Sequence, residues 1–166
     1  MNTQLFSKPG TDKTLKLLKS INYLLRTGVA FTFTGHGMNA IAVKQNWIPL
    51  LTVYGFSVEQ AKMIMPWIGV LDIIVALLVL IHPFRGVVIW AIFWTFATAL
   101  TRWIAGEGVW EFIERGSNWA APLALFLLSR IEVYHVKNQW VTIEKKAGKE
   151  KLVASLKGLL FFHTLP

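Results

Sequence analysis

A chain of 166 residues that is 54% hydrophobic and 16% charged, with a mean hydropathy of +0.49, is too apolar for an ordinary soluble domain, where about a quarter of residues carry charge. It has no cysteine, which excludes disulfide staples, thiolate metal sites, a CxxC redox motif and a cysteine nucleophile. Its net charge of +8 comes with no basic helix or motif suited to nucleic acid, so the basic residues read as flanks of membrane spans facing anionic lipid, with no nucleic-acid partner.

Residues 1–19 are polar and include Lys8, Lys13, Lys16 and Lys19. The apolar stretch after them is long and no small-residue cleavage site follows it, so it is expected to stay in the mature protein. Four spans are predicted, at about 21–43, 64–81, 86–105 and 117–134, each close to the 20 residues needed to cross a core of about 30 Å. Pro66 is placed in the first turn of the second span, where a missing N–H is harmless, and His82-Pro83 ends that span. The fourth span is short, with Pro122 near its start and Arg130 and Glu132 near its end. Between spans one and two, Ser57-Val58-Glu59-Gln60 predicts a short capped helix. Residues 106–116 predict a second interfacial turn of helix. From Lys137, lysines 145, 146, 149, 151 and 157 interleave with Leu152, Val153, Leu156, Leu159, Leu160 and Phe161. That pattern suits a basic amphipathic helix on an anionic membrane surface, or equally a solvated tail or partner-binding helix.

The predicted fold is therefore all-α: a four-helix transmembrane bundle over residues 1–136, with short interfacial helices on its outer side, and a basic amphipathic cytoplasmic tail over 137–166. Basic residues in short loops stay cytoplasmic. The N-terminal lysines, Arg85 and the tail outweigh Lys44, Lys62, Arg102 and Arg115 on the opposite side. Both termini are accordingly expected in the cytoplasm of a multi-pass protein of the cell's inner (plasma) membrane.

Ionisable groups at membrane depth are costly and point to function. His36 and Asp72 lie about 10 Å below the outer surface at 1.5 Å per residue. Arg102 ends span three and Asn118 opens span four. Gly28, Thr32, His36 and Asn39 share one stripe of span one, and Thr95, Thr98 and Arg102 one stripe of span three. Such stripes are expected to face the bundle interior. Gly35 and Gly37 would allow a close helix approach. Glu107, Glu111 and Glu114 are placed at i, i+4 and i+7 on one helical face. Water, Arg102 or Arg115, or a cation or relayed proton could offset them. His36 is either a packing histidine bonded to Asp72 or a backbone carbonyl, or a proton or ligand contact. The expected ligand or proton pocket is thus His36, Asn39, Asp72, Arg102, Glu107, Glu111, Glu114 and Asn118, with no metal: no HExxH, GxGxxG or P-loop is present. Trp47, Trp67, Trp103, Trp110 and Trp119 map to an outer aromatic belt and Trp140 to the inner one. Trp90 and Trp94, one turn apart, either pack or wall a pocket for a flat apolar ligand.

Arg26…Gly35-His36-Gly37-Met38, the acid of Gly69-Val70-Leu71-Asp72, and the run Trp110-Glu111-Phe112-Ile113-Glu114-Arg115-Gly116-Ser117-Asn118-Trp119-Ala120-Ala121-Pro122-Leu123 together resemble the DoxX-like family of small four-helix membrane proteins. The likeness covers roughly residues 20–130, with Asp72 where the family more often has Glu. The family takes its name from membrane subunits of a thiosulfate:quinone oxidoreductase. The resemblance implies an accessory or subunit of a quinone- or redox-linked membrane complex, with quinone as a non-covalent ligand and other membrane subunits and the lipid bilayer as partners. Without cysteine or a cofactor motif, the chain is not expected to transfer electrons alone. A structural or assembly subunit, and a small-molecule or proton transporter, are the competing readings.

Overall fold

The computed structural model of the chain describes residues 9–130 and 148–150, and among these it is helical with no strand. Contacts divide the chain into a unit at Met1–Leu128 and a second at Ser129–Pro166; the fold and the candidate site belong to the first. The predicted end of span four past residue 130, Lys8, Trp140 and nearly all of the basic tail lie outside the described residues.

Helix α1 runs Pro9–Ile41, about 50 Å at 1.5 Å per residue. It extends the predicted first span at its N-terminal side, where Lys13, Lys16 and Lys19 are exposed. Its buried face is Val29, Ala30, Phe33, Gly37 and Ala40, a stripe at helical spacing. The predicted polar stripe sits to one side of this face. Gly28 is exposed with open space around it, and the side chains of Thr32 and Asn39 bond back to the carbonyls of Gly28 and Gly35 on their own helix. Val43, with φ of 49°, turns the chain into a single 3-10 turn, Gln45–Trp47, and a short helix α2, Ile48–Thr52.

Helix α3 spans Val58–Ile81. Ser57 is its cap: Ser57 Oγ accepts from the Gln60 N–H at 3.2 Å, and Gln60 Oε1 accepts from the Ser57 N–H at 2.8 Å, a reciprocal capping box. The cap predicted for a separate short helix thus starts the second long helix, and Pro66 falls well inside α3 rather than in a first turn. The cause is that Glu59, Gln60 and Lys62 keep the first turns polar, so hydropathy rises only from Ile64 while the backbone ladder has already begun. Pro66 leaves the Lys62 carbonyl without its usual helical donor. The other end of α3 is closed from outside. Arg26 of α1 donates from Nε to the Val79 carbonyl at 3.1 Å, and from Nη2 to the carbonyls of Leu80 and, at 3.0 Å, Ile81. These belong to the last turn, whose carbonyls lack helical partners and carry the negative end of the helix dipole.

Helix α4 spans Arg85–Ile104 and α5 Val109–Glu114. Between them Gly106 and Gly108 have φ of 89° and 92°, which only glycine adopts readily. Helix α6 follows from residue 116 and is described to 130, with Pro122 buried in it.

The long helices meet in one apolar cluster: Val29, Ala30 and Phe33 of α1, Val75, Ala76 and Val79 of α3, Val87, Val88 and Ala91 of α4, and Leu125 of α6. All of these lie toward the α3–α4 turn. Among the named helices α1 and α3 pack most extensively, and Gly37 and Gly69 explain why. A Cβ at Gly37 would stand 2.8 Å from the Gly69 carbonyl oxygen, and one at Gly69 2.5 Å from the Gly37 carbonyl oxygen. The two backbones touch where any side chain would hold them apart. At Gly35 nothing lies within 4 Å, so of the two glycines flanking His36 only Gly37 serves the approach.

α3 and α4 are each long and apolar enough to cross a membrane, and only 33% and 28% of their most apolar stretches are buried inside the molecule. Trp67, Ile74 and Ile81 of α3 and Ile89, Phe93 and Trp103 of α4 are exposed. α1, which carries Arg26 and His36 within its apolar stretch, and the described part of α6 do not reach the same measure.

Candidate ligand pocket

At the end of the bundle away from the apolar cluster, the same helices part around a cavity of about 420 Å³. Its walls are largely apolar: Leu50 and Leu51 of α2, Ile64, Met65 and Ile68 of α3, Ala97 of α4, and Phe56. Ile48, Ala61 and Met65 form a second buried cluster beneath Val43, Trp47 and Leu51. The segment between α1 and α3 is thereby a packed roof and not a loose loop. Tyr54 fastens it to α4, its hydroxyl 2.8 Å from Thr101 Oγ1.

Asp72 is the most buried charged group of the cavity, at 4% exposure. Trp94 is a hydrogen-bonding neighbour of its carboxyl, while Oδ1 is buried with no partner among the described residues. Leaving a buried polar oxygen unpaired costs about 1–3 kcal/mol, and more for a charged group, so such an atom in a cavity wall is where a ligand gains most. Trp94 stacks on Trp90, with centroids 5.5 Å apart and planes inclined by 14°. Trp94 faces the cavity and Trp90 backs it.

His36 lines the cavity and meets Trp47 edge-on at 5.7 Å. The Trp47 ring also lies under two cations, Lys44 at 5.4 Å and Arg102 at 5.5 Å, contacts worth about 0.5–2 kcal/mol each. Arg102 donates to Glu107 Oε2 at 2.7 Å, and Arg115 to Glu111 Oε2 at 2.5 Å and to the Glu111 carbonyl at 2.7 Å. Glu114 stands 3.8 Å from Arg115 and is largely exposed. The three glutamates therefore do not share one helical face as predicted. Gly108 restarts the helix, leaving Glu107 in the turn before α5, and each acid is answered by an arginine. The two arginines line the cavity, and none of these three glutamates does.

Of the predicted pocket residues, the structure gathers His36, Asp72, Arg102, Asn118 and Trp94 around one cavity. Asn39, the three glutamates and Trp90 lie outside its lining. Among the described residues no group of three or more His, Cys, Asp or Glu side chains is gathered for a metal ion. No family model, curated protein or solved structure matches the chain.

Trp47, Tyr54, Thr101 and Arg115 also line the cavity and were not singled out as pocket residues by sequence pattern. Charge balance makes Arg115 a counter-charge, and its indole suits Trp47 to the interfacial belt. Trp67, Trp103 and Trp110 are exposed as a belt requires. Trp47 turns inward, and Trp119 buries its Nε1 without a partner while packing edge-on against Phe96 at 5.8 Å. An indole suits an interface and a cavity wall equally, so composition alone does not separate the two.

Proposed function

We propose that the chain is a membrane protein crossing the bilayer four times with both termini in the cytoplasm, and that the cavity binds a small, flat, mostly apolar molecule of quinone type. Its role is that of an accessory or subunit of a membrane redox complex. The observation that carries the binding reading is the apolar cavity with the buried, unpartnered Asp72 Oδ1 in its wall, the arrangement expected of a small-molecule site. Support for the membrane comes from α3 and α4. A core helix of a soluble protein would be mostly buried, and these are not. α1 and α6 pack with them in one apolar cluster, and the charge of Arg26 is met at the end of α3. The redox and quinone part rests on the resemblance to DoxX-like proteins, and the orientation rests on the placement of basic residues.

The test is a titration of the detergent-purified protein with a short-chain quinone, followed by quenching of tryptophan fluorescence. The cavity holds two indoles, Trp47 and Trp94. Saturable quenching is expected, weakened roughly tenfold or more by His36→Leu, in line with losing one polar contact in a buried site. Quenching that never saturates, or that His36→Leu leaves unchanged, refutes the binding reading. A C-terminal reporter that is accessible from outside the cell refutes the orientation.

A further inference from the structure

The polar atoms around the cavity are unequally committed. Thr98 Oγ1 donates to its own helix at the Trp94 carbonyl, 2.9 Å away. Thr101 Oγ1 is 2.8 Å from the Ala97 carbonyl and shares a further 2.8 Å contact with Tyr54. Arg102 and Arg115 are held by Glu107 and Glu111. Against this set, Asp72 Oδ1 is a buried acceptor that no donor among the described residues reaches. In its ionised form the carboxyl of Asp72 accepts and does not donate. A molecule that brings a hydrogen-bond donor to this atom gains a charge-assisted bond, whereas one that brings only an ether or carbonyl oxygen faces lone pair against lone pair.

The charge around the cavity narrows the donor further. An ammonium ion would have to share the space with the guanidinium groups of Arg102 and Arg115, which line it, and like charges in a poorly solvated site repel strongly. A neutral hydroxyl meets no such penalty. The indole of Trp94, backed by Trp90, offers a flat face for a ring.

We infer that the pocket selects hydroxyl-bearing ring compounds, such as phenols and hydroquinones, over their ether and carbonyl counterparts, and that Asp72 is the residue that makes the distinction. This rests on the pocket being a binding site, and it deepens that reading by naming the ligand's functional group. For a redox couple it means that the reduced, hydroxyl-bearing partner is the one held.

Two redox-inert probes smaller than the cavity separate the possibilities, 1-naphthol and its methyl ether, each titrated against the full chain in detergent by tryptophan quenching. 1-Naphthol is expected to bind roughly ten- to hundredfold more tightly, the range for a hydrogen bond to a charged group. In Asp72→Asn, which keeps the shape of the side chain and adds donor hydrogens, the preference is expected to fall to within about threefold, because the amide can serve either probe. Equal binding of the two probes to the unaltered protein overturns this inference and leaves the pocket reading standing. Saturable binding of neither overturns both. Tighter binding of 1-naphthylmethylammonium than of 1-naphthol overturns it in favour of ionic recognition, and an Asp72→Asn variant that keeps the full preference removes Asp72 from the role.

Discussion

Replacing Gly69 with alanine tests the helix crossing that carries the pocket. The added Cβ would lie 2.5 Å from the Gly37 carbonyl oxygen, 2.7 Å from Ile41 Cγ1 and 2.8 Å from the Ile41 nitrogen. Two of these atoms are backbone and cannot swing aside. Comfortable contact begins near 3.5 Å, so the helices would have to part by roughly 1 Å. Overpacking of this kind costs about 1–3 kcal/mol, and alanine returns about 0.5–1 kcal/mol of helix propensity. Gly69→Ala is therefore expected to be destabilised by about 1–2 kcal/mol. Gly35→Ala is the matched control: nothing lies within 4 Å of its Cβ, so only the propensity gain applies, and it is expected to be slightly stabilised. Both are measured by fluorescence-monitored unfolding in one detergent with increasing dodecyl sulfate. His36 precedes Gly37 and Asp72 lies one turn beyond Gly69, so the binding proposed for the cavity should weaken in Gly69→Ala and not in Gly35→Ala. If the two variants unfold together, or if Gly69→Ala is the more stable, the backbone contact does not limit the approach of α1 and α3.

Three further outcomes follow from single contacts. Arg26→Ala removes the donors to the Val79, Leu80 and Ile81 carbonyls and is expected to cost about 1–3 kcal/mol in the same unfolding measurement; a loss below about 0.5 kcal/mol, the low end for one hydrogen bond, would show that water satisfies these carbonyls equally well. Tyr54→Phe breaks the bond to Thr101 and should cost about 1 kcal/mol while raising hydrogen exchange in the roof between α1 and α3, with exchange in α4 unchanged. Ser57→Ala removes the capping box of α3 and should cost about 1 kcal/mol, and Ser57→Asp should retain most of the stability.

Helix positions were the most legible part of the sequence. His82-Pro83 marks the end of α3, and the predicted third span at 86–105 differs from α4 by one residue at each end. The signal at Ser57 was visible, but hydropathy misassigned what it starts, because the polar residues after it delay the apolar run without interrupting the backbone ladder. Counting along the helices sets His36, Asp72, Arg102 and Asn118 at one level, and all four line the cavity. The roof was not foreseen: Trp47, Leu50 and Tyr54 look like an interfacial loop until Ile48 is seen packed on Ala61 and Met65. The clasp of Arg26 was also invisible, because it joins residues more than fifty positions apart and leaves no periodic trace. The paired arginines were half visible. Charge balance suggested them, but only the backbone turn at Gly108 decides which glutamate each one meets.

Arg26 also has a mechanical consequence. α1 and α3 touch backbone to backbone at Gly37 and Gly69 and share the apolar cluster of Val29, Ala30, Phe33, Val75, Ala76 and Val79, a seam with no directional bond to stop one helix swivelling on the other. Arg26 grips α3 again at Val79–Ile81, ten residues or about 15 Å further along, and a second fixed point removes that rotation. His36 and Asp72 are thereby mounted on one stiff frame. Any widening that admits a ligand falls to the other side, where the roof is tied to α4 through Tyr54 and Thr101 and where Arg102 rests on Trp47.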